Sequence, residues 1–347
     1  MKYTMAFNPK KKHASLQDVA SYVGVSTSLA SFVINGKGHL HRVSEEMIDK
    51  INSAAKELNY QPNIFAKSLR EGKSRVIGVV LSDISNPFFS SLARCLEDEA
   101  EMKGYSIFFS SSDENHSRAE NQISRLLSRG VDGLVFVPCE NSEATVRAVL
   151  STGKPIVLLD RYFPEIHCNY VSLNNKEVSR SAVLELLNNG FSHPGIIAYD
   201  TSLQHMRDRI AGYESAMKDS GKESEISVIS IKESSLRSSM PEVLEKFIES
   251  GVDSVLFATN NITTAALMCI KERGICVPDK LGVIGFDGGQ AFELFNVPIS
   301  YIKQPIALMA KKVIEIITDE INLGSRMIHQ IEMHGDIIVR QSSRRTI

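Results

Sequence analysis

Nothing in the 347-residue chain approaches the ~18 consecutive apolar residues that span a bilayer; the longest such run, Val76 to Leu81, is strand-sized. No membrane association is expected. Polar residues rather than an apolar segment follow Lys10, Lys11 and Lys12, so no export signal is expected either, and the cytoplasm is the expected compartment. The five cysteines, Cys95, Cys139, Cys168, Cys269 and Cys276, form no Cys-x-x-Cys pair, and no histidine stands at metal-ligand spacing from them. Free thiols in a reducing compartment, with neither a structural metal nor a cofactor, are the expectation. A phosphate-binding Gly-x-x-x-x-Gly-Lys loop and a Gly-x-Ser-x-Gly nucleophile elbow are also lacking, which argues against an enzyme.

Net charge is scarce too, at −2, until it is divided along the chain. Residues 1–75 carry 12 Lys/Arg against 6 Asp/Glu, a balance of +6, and the remainder carries −8. A basic head on an acidic body is the asymmetry expected when one end alone meets phosphates. The hydrophobic fraction of 43% and charged fraction of 23% are those of a soluble globular protein whose length predicts two or three domains.

Within the head, Ser15 and Asp18 fit a capping box, and Leu16, Val19, Ala20 and Val23 place an apolar stripe on the helix behind it. Gly24 interrupts that helix. Ser26 can cap a second one over Thr27 to Ile34, closed by Asn35-Gly36, and a third begins at Ser44 with Ile48, Ile51, Ala55 and Leu58 on one face. Helix, glycine turn, helix is the helix-turn-helix arrangement, in which the second helix enters the major groove. The same spacing also fits helical hairpins that never touch DNA. Beyond Pro62, Ile64 to Arg70 can form two helical turns before Gly72 releases the chain, a length marginal in isolation.

After Arg75 short apolar runs alternate with amphipathic segments. Val76–Leu81, Tyr105–Phe109, Gly133–Val137, Pro155–Leu159, Gly195–Tyr199, Ser227–Ile231, Ser254–Ala258 and Gly282–Phe286 read as buried parallel strands of a doubly wound α/β fold. An internal echo accompanies them. Gly130-Val131-Asp132-Gly133-Leu134-Val135-Phe136 recurs as Gly251-Val252-Asp253-Ser254-Val255-Leu256-Phe257, and Pro155-Ile156-Val157-Leu158 is answered by Gly282-Val283-Ile284-Gly285, so two similar lobes are expected. In such sheets ligands bind beyond the carboxyl ends of the strands, which makes a cleft between the lobes the natural binding place.

The strings Asp18-Val19-Ala20, Gly24-Val25-Ser26, Val33-Ile34-Asn35-Gly36, Leu58-Asn59-Tyr60-Gln61-Pro62-Asn63 and Ala66-Lys67-Ser68-Leu69 closely resemble the head and hinge of lactose-repressor (LacI/GalR) family regulators, and the likeness runs from about Ser15 to Ser342. It implies a three-helix DNA-binding head at 14–60 and a hinge at 61–75. It also implies a two-lobed periplasmic-binding-protein-like domain with one lobe at 76–174 and 303–326 and the other at 175–302 and 327–342. Carried over residue by residue, Thr27 and Ser28 resemble base readers, Ser31 and Asn35 phosphate contacts, and Leu16 a residue near the backbone whose first duty is packing. In the hinge Asn63, Ala66, Leu69 and Arg70 carry over, with Leu69 the residue that wedges into the minor groove. Phe32 stands where the family commonly has arginine. It can touch a thymine methyl or pack inward, but cannot pair with guanine. The loop from Lys37 to Val43 is longer than usual, leaving His39, His41 and Arg42 without counterparts, either as extra phosphate contacts or as a solvated loop.

In the body, Phe88 of Asn86-Pro87-Phe88-Phe89 resembles an aromatic effector contact. Arg209 of Arg207-x-Arg209-x-x-Gly212-Tyr213 resembles a bidentate anchor, Asp287 a hydroxyl acceptor, and Asn260 and Arg161 further contacts. The partners thus implied are double-stranded operator DNA, a small effector (sugar, sugar phosphate or purine) and a second copy of the chain, with repression the expected outcome. A two-lobed sugar-binding receptor without a transcriptional role is the rival reading, and the basic head speaks against it.

Overall fold

The computed structural model describes residues 14–61, 72–324 and 327–345, and the chain separates into two compact units, 1–74 and 75–347. The hinge candidates Asn63, Ala66, Leu69 and Arg70 lie outside the described residues.

The first unit contains α1 (Leu16–Val23), α2 (Thr27–Ile34) and α3 (Glu45–Glu57). Ser15 caps α1 in a complete capping box with Asp18, and Gly24 ends it in the left-handed region at φ 76°, where a side chain would be strained. Ser26 Oγ accepts from Leu29 N at 3.2 Å to start α2. Val19, Ala20, Ala30, Val33, Ile51 and Ala54 form the buried centre, with Leu16 packed against it. So small a core leaves little surplus: fully burying Ile51 contributes roughly 2–3 kcal/mol, a large share of such a unit's stability.

The second unit holds two six-stranded sheets. The first comprises β1 (Val76–Leu81), β2 (Ser106–Ser111), β3 (Gly133–Phe136), β4 (Ile156–Asp160), β5 (Asn169–Leu173) and β11 (Gln330–Met333) in the order β11-β5-β4-β3-β1-β2, all parallel. The second comprises β6 (Pro194–Tyr199), β7 (Val228–Ile231), β8 (Ser254–Phe257), β9 (Gly282–Phe286), β10 (Ser300–Lys303) and β12 (Asp336–Ile338) in the order β12-β10-β9-β8-β6-β7. Only the β10–β12 pair is antiparallel. In both sheets the order reverses at the first strand, β1 or β6, the switch point where such folds bind ligands.

The helices that position the site are α4 (Pro87–Met102), α5 (His116–Ser128), α6 (Glu143–Ser151), α7 (Asn175–Asn188), α8 (Gln204–Asp219), α9 (Leu236–Glu249), α10 (Asn260–Glu272), α11 (Gln290–Glu293) and α12 (Ile306–Leu323). One boundary needs correction. Residues 327–342 were expected in the second lobe, yet Gln330–Met333 pairs with β5 in the first sheet, and only from Asp336 does the chain join the second. The reason is chemical: β11 is a polar edge strand, Gln-Ile-Glu-Met, with no apolar run to mark it, and Asn169 Oδ1 takes His329 N at 2.8 Å to set its register.

Candidate functional site

On α2, Ala30 and Val33 face the core while Thr27 and Ser28 are exposed, and Ser31, Phe32 and Asn35 continue the outward face at helical spacing. This outward face is what the head can offer to a groove. Asn35 is partly spent, since its Nδ2 donates to Ser31 O at 2.7 Å and so closes the helix. Phe32 does not pack into the core. Its ring stacks on His41, centroids 3.6 Å apart and planes 15° from parallel.

In the second unit the carboxyl ends of the two sheets' strands meet. The echo between lobes extends further than its apolar core, because Asp160 at the end of β4 and Asp287 just after β9 occupy matching places and both adopt left-handed backbone, φ 67° and 69°. Burial raises both carboxyls, Asp287 to about 6, against the pull of Arg209 on each. Gln304 Nε2 donates to Asp287 Oδ1 at 2.7 Å. Arg209, on the second turn of α8 and 3% exposed, lies between them in charge terms: burial lowers its pKa, and Asp287 and Asp160 oppose that. Its Nε donates to Asn175 Oδ1 at 2.8 Å and one Nη to Ala258 O at 2.6 Å, while its plane lies 3.7 Å from the Phe286 ring centroid. Nη2 makes no hydrogen bond among the described residues.

Three further groups belong to this junction. Arg161 forks onto Glu114 at 2.7 and 2.8 Å and donates to Pro138 O at 3.1 Å; burial alone would depress it, but the Glu114 pair outweighs burial and holds it charged. His205 is buried and kept neutral, well below its ordinary range, by desolvation and by Arg161 and Arg209. Asn260 donates from Nδ2 to Gly288 O, tying α10 to the loop after Asp287. Asp160 Oδ1, Arg161 Nε, His205 Nδ1 and Gln304 Oε1 are buried without a hydrogen-bond partner among the described residues, although Arg161 Nε lies 3.7 Å from Asp160 Oδ2. Such orphans are costly and call for a ligand or water. A groove of about 1010 Å³ is lined from both lobes, by Asp83, Asn86 and Ser91 on one wall and Tyr199, Glu233 and Asn260 on the other; Asn260 alone is shared with the junction, and those four buried orphans do not line the groove.

A polar clasp also joins the lobes. Glu140, after β3, accepts at Oε1 from Thr201 Oγ1 (2.8 Å), Ser202 N (2.5 Å) and Ser202 Oγ (2.9 Å), after β6. Burial would raise Glu140, but these hydrogen bonds lower it on balance. Leu203 is then buried among first-lobe residues including Cys139 and Phe163.

Phe88 is a correction. Asn86 caps α4 with Pro87 at its first turn, which turns Phe88 into the first-lobe core at 5% exposure, edge-on to Phe89, and leaves the groove to its polar neighbours. Asp160, His205, Gln304, Glu114 and Glu140 were not picked out beforehand. For Asp160 a signal existed: extending the echo from Pro155–Leu158 and Gly282–Gly285 by two residues pairs it with Asp287. The others come together only through the meeting of lobes.

Residues 15–63 match the family described as bacterial regulatory proteins, lacI family, and residues 74–337 match periplasmic binding proteins and sugar binding domain of LacI family. The chain belongs to the LacI family. It is a helix-turn-helix transcription regulator with a periplasmic-binding-protein-like domain. Among its relatives, HTH-type transcriptional regulator DegA of Bacillus subtilis (strain 168) is 29% identical over 95% of this chain and 98% of its own length. The ribose operon repressor of Halalkalibacterium halodurans is 27% identical over 95% and 97%. The fold is shared with the lac repressor dimer bound to operator and the anti-inducer ONPF, at TM-score 0.82 and 22% identity over 96% of this chain and all (100%) of that one. It is shared too with the CelR–cellobiose complex, at 0.68 and 24% over 95% and 99%. No described helix is long and apolar enough to cross a membrane.

The raised carboxyl of Asp287 gives this LacI-family domain a testable pH signature. An acid whose folded pKa exceeds its unfolded value loses native stability as pH rises between the two, here from about 4 to about 6, and carries the full penalty above. Asp287→Asn keeps an acceptor for Gln304 and removes that penalty. The ligand-free variant is expected to be about 1–2 kcal/mol more stable than wild type at pH 7.5 and to converge with it below about pH 4. Urea unfolding at the two pH values checks this; a pH-independent difference would contradict it.

Proposed function

We propose that this regulator is a homodimeric, cytoplasmic repressor whose affinity for operator DNA is set by a neutral sugar held where the two lobes meet, against Asp160, His205, Arg209, Asp287 and Gln304. The observation that carries the reading is the set of buried polar atoms without hydrogen-bond partners where the lobes meet; the groove lined from both lobes reaches this junction at Asn260. Hydroxyls donate and accept, and so suit orphan carboxylate, imidazole and amide acceptors together with the free Nη2 of Arg209. A sugar phosphate or a purine is the alternative, the HTH-type transcriptional repressor PurR of Pasteurella multocida being among the relatives at 25% identity. Neutral ligands are favoured because Arg161 is already forked onto Glu114 with Glu233 close by, and Arg209 is committed to two protein acceptors and offset by Asp287 and Asp160. A ligand that prefers one arrangement of the lobes shifts DNA affinity only by that preference.

A dimer is inferred because one helix-turn-helix reads few base pairs and two-fold proteins match palindromic operators. The receptor reading is set aside by the head match at residues 15–63, and an enzymatic role has no support in the groove's chemistry. The test is a thermal-shift screen of the full chain against monosaccharides, their phosphates and nucleobases, with sedimentation run on the same sample. A cognate ligand at 100 times its Kd is expected to stabilise by roughly 2.7 kcal/mol. A monomer at micromolar concentration, or a response confined to phosphates, would count against the respective part of the reading.

A further inference from the structure

The head carries an arrangement that the helix-turn-helix pattern does not require. Phe32 lies on the outward face of α2 with Ser28, Ser31 and Asn35, where an uncovered aromatic ring would be wasted on solvent. Its cover is supplied by the lengthened loop that follows. Lys37 N donates to Phe32 O at 2.7 Å, Gly38 turns down onto α3, and His39–His41 forms a single 3-10 turn closed by Arg42 in left-handed backbone at φ 55°. Gly38 is a fixed point: a Cβ there would stand 3.0 Å from Ile48 Cδ1 and 3.4 Å from Val33 Cγ2, so the loop sits directly on the core. Val43 N to Gly38 O at 3.0 Å closes the turn, and His39 Nδ1 lies 3.5 Å from Glu45 at the start of α3. The loop is therefore built, not merely solvated.

The result is a histidine ring that is both exposed and immobilised. The stack on Phe32 orients His41, and neither of its ring nitrogens has a hydrogen-bond partner among the described residues. An imidazole N–H held at the border of a base-reading face can donate to the N7 or O6 acceptors of a purine in the major groove, and its orientation is settled before DNA arrives. Phe32, its face covered, acts as a platform.

We propose that His41, seated on Phe32, is a specificity-determining DNA contact that reads a purine edge at one position of each half-site. This rests on the reading of the head as the DNA-binding element. The experiment separates the two by selecting binding sites from random duplex DNA with the full chain and its variants. His41→Ala is expected to lose base preference at one position per half-site and to bind the wild-type site roughly tenfold more weakly, with unchanged affinity for random-sequence DNA and an unchanged melting temperature. Phe32→Leu should lose the same position, and the double variant should be no worse than either single one. Because Phe32→Leu can disturb the head, His41→Gln serves as the second probe; it keeps a donor without the stacked ring and should alter the preferred base at that position while leaving the others intact. An unchanged motif for both His41 variants overturns the assignment alone. So does a uniform loss of affinity for every sequence, which would make His41 a phosphate contact. Failure of the wild-type chain to select any motif overturns the DNA-reading and this contact together.

Discussion

Arg209→Ala is expected to destabilise the second unit by about 3–5 kcal/mol, the range for removing one member of a buried, hydrogen-bonded charge cluster. The alanine would leave Asn175 Oδ1 and Ala258 O without their donor, uncover the face of Phe286 and strip Asp160 and Asp287 of the charge that offsets their burial. Urea unfolding would register the loss as a large fall in midpoint. Arg209→Lys keeps a charge but neither the fork nor the stacked plane and should fall between. An unfolding free energy within about 0.5 kcal/mol of wild type, the scale of an ordinary surface substitution, would show that these contacts do not support the domain. The likeness that implied an effector anchor thus understated the residue: its Nε and one Nη hold protein, and only what remains is left for a ligand.

Gly212→Ala is the second substitution with a large expected effect. The helices α7 and α8 approach so closely at Gly212 that a Cβ would stand 2.1 Å from Lys176 O and 3.0 Å from Arg180 N, which are backbone atoms with no rotamer to yield. The helices would have to separate, and with them Asn175, whose side-chain Oδ1 accepts from Arg209 Nε. A loss of about 3 kcal/mol, at the upper end for overpacking, is expected. Ligand affinity should fall with it, because the shift is transmitted to the Arg209 contact. Alanine at the exposed, left-handed Gly221, where nothing stands within 4 Å, serves as a comparison that strains the backbone without displacing a helix. If Gly212→Ala were the milder of the two, the packing argument would fail.

These two residues show what was legible before the fold was known. Arg207-x-Arg209-x-x-Gly212-Tyr213 is readable as a string, but its physics is three separate matters. Arg209 neutralises a junction, Gly212 admits a neighbouring helix, and the buried Tyr213 bridges Pro194 O at 3.0 Å and Ser227 N at 2.7 Å. The eight strands read from apolar runs all exist, their ends displaced by at most two residues. The three that no apolar run marks, β5, β10 and β11, have polar residues among their apolar ones, as Asn169-Tyr170-Val171-Ser172-Leu173 illustrates. The head was legible because capping boxes and glycine turns are local. The junction was not, since pairs such as Arg161 with Glu114, or Glu140 with Ser202, join residues 47 and 62 positions apart. Phe88 misled for the converse reason: its place beside polar loop residues says nothing of the direction in which α4 turns it.

The return of the chain through β11 sets an order on how the protein can be made. The first sheet is left without its edge strand, and its core without Met309, Val313 and Ile317 of α12, until nearly the whole polypeptide has been synthesised. During translation all of the second lobe but its edge strand β12 must therefore emerge while the first still exposes the apolar face that α12 will cover, a state open to aggregation and to capture by chaperones. The helical head, with its short-range contacts, has no such wait and can fold as soon as it leaves the ribosome. A nascent regulator of this design can meet DNA before it is able to sense anything.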